Sequence, residues 1–165
     1  MRKTWIGLVI IIFCCAEAPA TCAGSSELAL SHTLSLETVV QTYTTPKALA
    51  RFLRQAITFK TDEELFGESD YWQTPEEFLA RRAGDCEDYA LFVRALLERQ
   101  GVEAYVLSLF GADGYAHTVC VFVEAGRYSV INQDRVRHYR APTLEAVAGR
   151  LYAGWRYAAV AERIG

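Results

Sequence analysis

The apolar positions of this chain recur at helical spacing in its first half and alternate like those of strands after Gly101. A first helix is predicted to begin at Pro46, because proline is tolerated in the first turn of a helix. Its buried stripe consists of Leu49, Phe52, Leu53 and Ala56. A second, short helix is predicted over residues 75–82, with Thr74 as its N-cap residue. The polar residues 60–69 between these helices are predicted to form a loop.

The clearest predicted helix begins after Asp85, a favourable N-cap residue, and ends at Gly101. Asp88 stands where the acid of a capping box is found. One face of this helix is apolar and consists of Cys86, Tyr89, Ala90, Val93, Leu96 and Leu97. Cys86 therefore lies in the first turn of a largely buried helix.

Beyond Gly101 the period of two predicts antiparallel strands. They are expected over residues 102–110, 116–124 and 127–133, with a turn at 111–114 and a hairpin loop at Ala125-Gly126. A short helix beginning within residues 142–145 and a last strand over 155–160 complete the pattern. Helices followed by antiparallel strands indicate the α+β class.

Residues 1–23 have the pattern of a signal peptide. Arg2 and Lys3 precede an apolar stretch over residues 6–15, which is shorter than the ~20 residues that a membrane span needs. Small residues then favour cleavage after Ala20 or after Ala23. We therefore predict an exported protein, periplasmic or secreted, without a stable membrane span. Residues 24–45 are interpreted as a lead-in segment and residues 46–165 as the folded domain.

Composition excludes several classes of protein. With 52% hydrophobic and 22% charged residues the chain is globular, and a net charge of −3 argues against a partner made of nucleic acid. Of five cysteines, Cys14 and Cys15 lie in the signal peptide and Cys22 at its edge. The remaining two, Cys86 and Cys120, do not make a disulfide scaffold. Nothing in the pattern indicates an oligomeric state.

Cys86 is the candidate nucleophile. A thiol in the first turn of a helix meets unpaired N–H donors and the positive end of the helix dipole, and both favour the thiolate. The neighbouring acids Asp85, Glu87 and Asp88 oppose this effect, because nearby negative charge raises the pKa of a thiol. A histidine is therefore needed as the activating group. The alternative is a buried cysteine that packs as a small hydrophobic residue.

His117 is the candidate base, because it opens an apolar strand whose face continues through Val119, Val121 and Val123. We expect the helix of Cys86 to pack on that face. Cys120 has the opposite parity, so it is expected in the core on the other face, away from Cys86. His32 and His138 are expected to be solvated.

The third member of a catalytic triad must accept the other N–H of the imidazole. If the hairpin loop has two residues, Glu124 pairs with Arg127, and His117 lies opposite Asp134 and diagonal to Asn132. Opposite residues have Cβ atoms ~5 Å apart and diagonal ones ~7–8 Å apart. Geometry alone therefore leaves Asn132 and Asp134 both open.

The segments YWQTPEEFLA (71–80) and GDCEDYA (84–90) resemble the bacterial transglutaminase-like cysteine proteinases, and the resemblance covers roughly residues 46–135. It implies a papain-like transglutaminase core and a Cys–His–Asp triad that acts on amide bonds. Cys86 and His117 match this triad. Asn132 stands where relatives carry Asp, which implies a Cys–His–Asn triad and favours Asn132 over Asp134. Trp72 resembles a residue that helps to form the oxyanion site, and it is equally consistent with a core aromatic.

The resemblance also makes calcium a candidate ligand of Glu87 and Asp88. Complementation of the helix dipole explains these acids without a metal, so no cofactor is predicted. The predicted function is that of an exported cysteine hydrolase, a peptidase, which acts on peptide or protein substrates through a thioester. The alternatives are transfer of the acyl group to an amine, as in a transglutaminase, and a non-catalytic binding domain that retains the fold.

Overall fold

The computed structural model describes residues 34–161, which form six α-helices and seven β-strands. In chain order they are α1 (Leu36–Thr42), α2 (Pro46–Ala56), β1 (Thr58–Phe59), α3 (Asp62–Phe66), α4 (Pro75–Arg81), β2 (Ala83–Gly84), α5 (Cys86–Arg99), β3 (Ala104–Gly111), β4 (Ala116–Glu124), β5 (Arg127–Asn132), β6 (Arg135–Ala141), α6 (Leu144–Leu151) and β7 (Trp155–Ala161). No helix within this range is both long and apolar enough to cross a membrane. The predicted signal peptide, Cys22 and His32 lie outside the described residues.

Five strands form one antiparallel sheet in the order β6-β5-β4-β3-β7, and β1 pairs with β2 in parallel. The predicted α+β class is confirmed. The hairpin between β4 and β5 has the predicted register, with Glu124 opposite Arg127. Its two loop residues, Ala125 and Gly126, have φ angles of +50° and +70°, as a tight hairpin with right-handed strand twist requires.

Each face of the sheet has its own apolar core. On one face, α1, α2, α4 and α5 pack against Cys120, Phe122 and Ile131. On the other face, α6 packs against Val119, Val121 and Val130. The middle of α5 is fully buried at Phe92, Leu96 and Leu97. Burial of such a side chain contributes about 1.5–3 kcal/mol relative to exposure, so α5 is firmly held on the sheet.

The expectation that α5 packs on the strand face of His117 is wrong. α5 packs on the opposite face, the one that carries Cys120, and His117 shares its parity with the residues that face α6. Cys120 is buried on the face opposite His117, as predicted, and both it and Cys86 are free thiols. Burial raises the pKa of Cys120, and the charges of Arg94 and Glu98 also act on this pKa. These residues lie two or more turns beyond Cys86, a distance of ~12 Å or more along the helix.

Five elements were not predicted, and two of them, β1 and β2, are strands of only two residues. The lead-in segment contains α1, which buries only Leu36 and Val39, and the expected loop at 60–69 contains the single turn of α3. β6 is an edge strand in which only Ala141 is fully buried, so its sequence carries little apolar alternation. The remaining predicted helices and strands are present with bounds shifted by one or two residues. Among these missed elements, α1, α3 and β6 share weak burial, whereas β1 and β2 are too short to carry a hydrophobic pattern.

Candidate active site

The segment Gly84-Asp85-Cys86 positions the start of α5. Asp85 is the N-cap residue with extended backbone, and its N–H donates to Asp88 Oδ2 at 3.2 Å, as in the predicted capping box. A Cβ atom on Gly84 would lie 2.3 Å from Asp88 Oδ2 and 2.8 Å from the side-chain amide of Gln73. Only glycine therefore allows these two side chains to close over the chain just before Cys86.

Asp88 is fully buried and organises the segment upstream of the nucleophile. It accepts the backbone N–H of Gln73 at 2.8 Å and the side-chain amide of Gln73 at 2.6 Å. The same amide also donates to the carbonyl of Ala83 at 3.0 Å. Gln73 was not singled out from the sequence, because nothing in its neighbourhood distinguished a buried glutamine from a solvated one.

The thiol of Cys86 is half-buried and protonated in this arrangement. Its Sγ donates to Glu87 Oε2 at 3.1 Å. Burial, followed by the hydrogen bond and the charge of Glu87, raises the pKa of Cys86 to about 12, although the backbone N–H of Thr118 acts in the opposite direction. Glu87 therefore opposes formation of the thiolate, as predicted for the neighbouring acids.

His117 and Asn132 contact each other directly, with 2.9 Å between Nε2 and Oδ1. Because an amide oxygen only accepts hydrogen bonds, Nε2 is the donor in this contact, and Nδ1 is left for another partner. Asp134 lies in another network, where its carboxylate accepts from Arg54 Nε at 2.8 Å. The geometry thus pairs His117 with Asn132, and Asp134 with an arginine of α2.

Cys86 and His117 belong to opposite faces, and the open end of β4 brings their surroundings together. The β4–β5 ladder ends at the pair Cys120–Ile131, so residues 116–119 extend beyond β5. At this end the N–H of Thr118 approaches the thiol of Cys86. Tyr115 lies there too, since its ring centroid is 6.1 Å from that of His117 and the charge of Cys86, after burial, raises its pKa. Thr118, which follows His117 in β4, and Tyr115, whose ring lies beside that of His117, are therefore both neighbours of the thiol.

Trp72 is half-buried against the core that α5 shares. Its indole Nε1 donates to Asp70 Oδ1 at 3.0 Å. The core role foreseen for this residue is thus present, and its role as an oxyanion donor stays a prediction.

An acidic cluster surrounds the start of α5 and consists of Asp62, Asp70, Asp85 and Glu87, with Asp88 at its edge. The residues of the cluster belong to overlapping groups of three, and in each group one potential ligand atom per residue lies within 4.8 Å of the other two. The oxygens Asp62 Oδ1 and Asp85 Oδ1 are buried and have no hydrogen-bond partner among the described residues. Burial raises the pKa of Asp62, and burial together with Glu87 raises that of Asp85 to about 8.

A donor set made of carboxylate oxygens, two of them buried and unpartnered, fits a hard cation such as Ca²⁺. Of the two acids singled out from the sequence, Glu87 belongs to this set, whereas Asp88 is largely engaged by Gln73. Asp62 and Asp70 were missed. They precede Cys86 by more than a dozen residues and no spacing rule links them to it.

Comparisons with known proteins identify the family of the chain. The family model for the bacterial transglutaminase-like cysteine proteinase BTLCP matches residues 6–140. A UPF0252 protein of Archaeoglobus fulgidus is 30% identical over 80 residues, which cover 48% of this chain and 26% of that protein. The chain thus spans about a quarter of the length of this curated relative.

Solved structures of LapG from Legionella pneumophila are also similar. One superposes with a TM-score of 0.48 and 21% identity over 62% of each chain. A calcium-bound form superposes with a TM-score of 0.42 and 17% identity, over 73% of this chain and 78% of that chain.

Proposed function

Because the chain belongs to the family of bacterial transglutaminase-like cysteine proteinases, we propose that it is an exported hydrolase that cleaves amide bonds in protein substrates. The family assignment confirms the predicted relationship and the papain-like transglutaminase core. The observation that carries the proposed activity is the 2.9 Å contact between His117 and Asn132 beside the helix that begins with Cys86. Export rests on the signal-peptide pattern of residues 1–23.

In the proposed mechanism, His117 Nδ1 takes the proton of Cys86, and the thiolate attacks the carbonyl carbon of the scissile amide. The imidazolium returns that proton to the departing amine, which leaves a thioester on Cys86. His117 then removes a proton from water, which attacks the thioester and releases the acid. Asn132 holds the imidazole in the required tautomer and orientation by accepting its Nε2–H.

The oxyanion that forms during both attacks needs hydrogen-bond donors. The N–H of Cys86 belongs to the first turn of α5, where backbone donors have no partner within the helix. We assign this N–H as the first donor and Trp72 as the candidate second one. Loss of one such donor typically costs about 10²–10³ in rate.

Glu87 competes with His117 for the proton of Cys86, since the thiol donates to Glu87. We propose that Asp62, Asp70, Asp85 and Glu87 hold a calcium ion, which the unpartnered oxygens of Asp62 and Asp85 favour. When bound, the ion would neutralise the carboxylates beside the thiol. All steps of proton transfer and attack are carried out by Cys86, His117 and Asn132.

One observation favours the alternative of a non-catalytic binding domain, namely that the thiol donates to Glu87 and has no hydrogen bond to His117 among the described contacts. Transfer to an amine uses the same three residues as hydrolysis. It differs only in the nucleophile that reaches the thioester.

The test is the rate at which iodoacetamide alkylates Cys86, followed by mass spectrometry in the presence of calcium. We expect His117→Ala to lower this rate at neutral pH by about tenfold or more, because a thiolate paired with imidazolium is lost. The matched control is Cys120→Ser, which removes the other described thiol and should leave the rate on Cys86 unchanged. Equal rates in wild type and His117→Ala would contradict the enzyme and favour the binding domain.

A further inference from the structure

A groove between α2 and β6 lies apart from the acidic cluster and has the opposite charge. Its larger part, a cavity of about 640 Å³, is lined by Lys47, Arg51 and Arg54 of α2 and by Val136 of β6. An adjoining cavity of about 560 Å³ adds Arg135 and Arg137. The two cavities share Arg54 and Val136 in their lining, and we refer to them together as the basic groove.

The positive charge of the basic groove is exposed and largely unbalanced. Lys47, Arg51 and Arg54 are exposed and recur at i, i+4 and i+7, which places them on one face of α2. Among the described residues, Lys47, Arg51 and Arg137 form no ion pair. Asp134 is the single acid in the lining, in a chain whose net charge is −3. The groove therefore attracts a negatively charged ligand.

The shape of the groove suits an extended peptide. Beneath the cations its floor is apolar and includes Ala48, Ala50 and Val136. The row from Lys47 to Arg54 spans ~10 Å of helix, which matches about three residues of an extended chain. The lining contains no Phe, Tyr or Trp on which bases would stack, and its single ring, that of His138, pairs with Glu124, which argues against single-stranded nucleic acid.

The basic groove opens beside the proposed active site. Arg135 pairs across the β5–β6 turn with Asn132, the residue that contacts His117. Asp134 lies in the turn itself, and its charge, after burial, raises the pKa of Tyr89 of α5, three residues after Cys86. A chain lying in the groove would therefore continue toward the thiol within a few residues.

We propose that the basic groove binds an acidic, extended segment of the protein substrate that flanks the scissile bond. This assignment of a substrate subsite rests on the proposed function. Binding itself requires no reactive thiol, so the two can be tested separately.

The experiment measures the fluorescence anisotropy of labelled hexaglutamate with the full chain carrying Cys86→Ala. We expect binding at low salt that weakens at about 0.5 M salt, and no binding of labelled hexalysine. Adding Arg51→Glu and Arg137→Glu should weaken binding at least about tenfold, since two attractive contacts become repulsive. The matched control, Arg127→Glu with Arg156→Glu, changes two exposed arginines outside the groove and should stay within about twofold.

Three results would overturn the proposal: no binding of hexaglutamate, an equal loss in the groove and control variants, or displacement by tripolyphosphate as effective as that by unlabelled hexaglutamate. The last result would identify a general anion site instead of a peptide site. Circular dichroism of both double variants establishes that they are folded. If Cys86 fails the alkylation test while hexaglutamate still binds, the activity is refuted and the peptide site stands.

Discussion

The acidic cluster and the basic groove both border the candidate active site, and they differ in how far their like charges are exposed to water. In the acidic cluster all carboxylates except that of Asp70 are partly or fully buried. Two of their oxygens lack partners among the described residues, and burial raises the pKa of Asp62, Asp85 and Asp88. In the basic groove the cations are exposed and spread along one helix face. Water screens exposed charges such as those of the basic groove, so they cost little free energy. Buried like charges destabilise the folded state unless an ion or a proton balances them.

This difference suggests that the two regions have different tasks. A cluster of acids that is costly by itself is suited to binding a small cation tightly and locally. A row of solvated cations is suited to guiding a long anionic partner with little loss of stability. Substitutions of single residues in or beside each region test this contrast.

The largest effect on stability is expected for Asp88→Ala. This change leaves the two donors of Gln73 and the N–H of Asp85 buried without an acceptor. Since each such loss costs about 1–3 kcal/mol, we expect the free energy of unfolding in urea to fall by about 3 kcal/mol or more. Asp134→Ala removes an acid whose partner Arg54 is exposed, and should cost less than about 1 kcal/mol. Similar losses for both variants would mean that Asp88 is not the organiser of this segment.

A smaller effect is expected at the boundary between the active site and the basic groove. Asn132→Ala frees the imidazole of His117 from its oriented tautomer and should lower the alkylation rate of Cys86 by about tenfold. Asp134 lies two residues away and its carboxylate contacts Arg54. Asp134→Ala should therefore leave the alkylation rate of Cys86 within about twofold of the wild-type rate. The opposite order of effects would make Asp134 the third member of the triad. It would also move the boundary of the site into the groove.

The fold was predictable from the sequence where elements bury a full apolar face. α5 has caps at both ends and an apolar stripe, and the two-residue hairpin determined the register of β4 and β5. The helix α1, the turn α3 and the edge strand β6 bury little, so their sequences resemble those of loops. The side of the sheet on which α5 packs was not predictable, because both faces of β4 are apolar and either would accept a helix.

The candidate site was predictable along one stretch of chain and not across the fold. Cys86 followed from its helix position and His117 from its strand position. Register placed both Asn132 and Asp134 within reach of His117, and the resemblance to the family favoured Asn132. Asp62 and Asp70 approach Glu87 through α3 and the loop before Trp72, which no local rule describes. The basic groove was missed for the same reason, because its cations come from α2 and from an unpredicted strand.

The smallest effect tests whether the acidic cluster is costly without a cation. Burial and Glu87 raise the pKa of Asp85 from 3.8 to about 8, so the folded chain binds this proton more tightly than the unfolded chain does. The stability that this carboxyl contributes is present below its ordinary pKa and is lost as pH rises from about 4 to about 8. In the presence of a chelator, Asp85→Asn should therefore be more stable than wild type by about 1–2 kcal/mol near pH 8, after discounting for solvent screening, and by much less near pH 5. Added calcium should raise the Tm of wild type more than that of the variant, because the wild-type cluster offers one more charged oxygen ligand. The control is Glu63→Gln on the exposed side of α3, which should show neither effect. Equal behaviour of the two variants would mean that the acids beside Cys86 are as freely solvated as the cations of the basic groove.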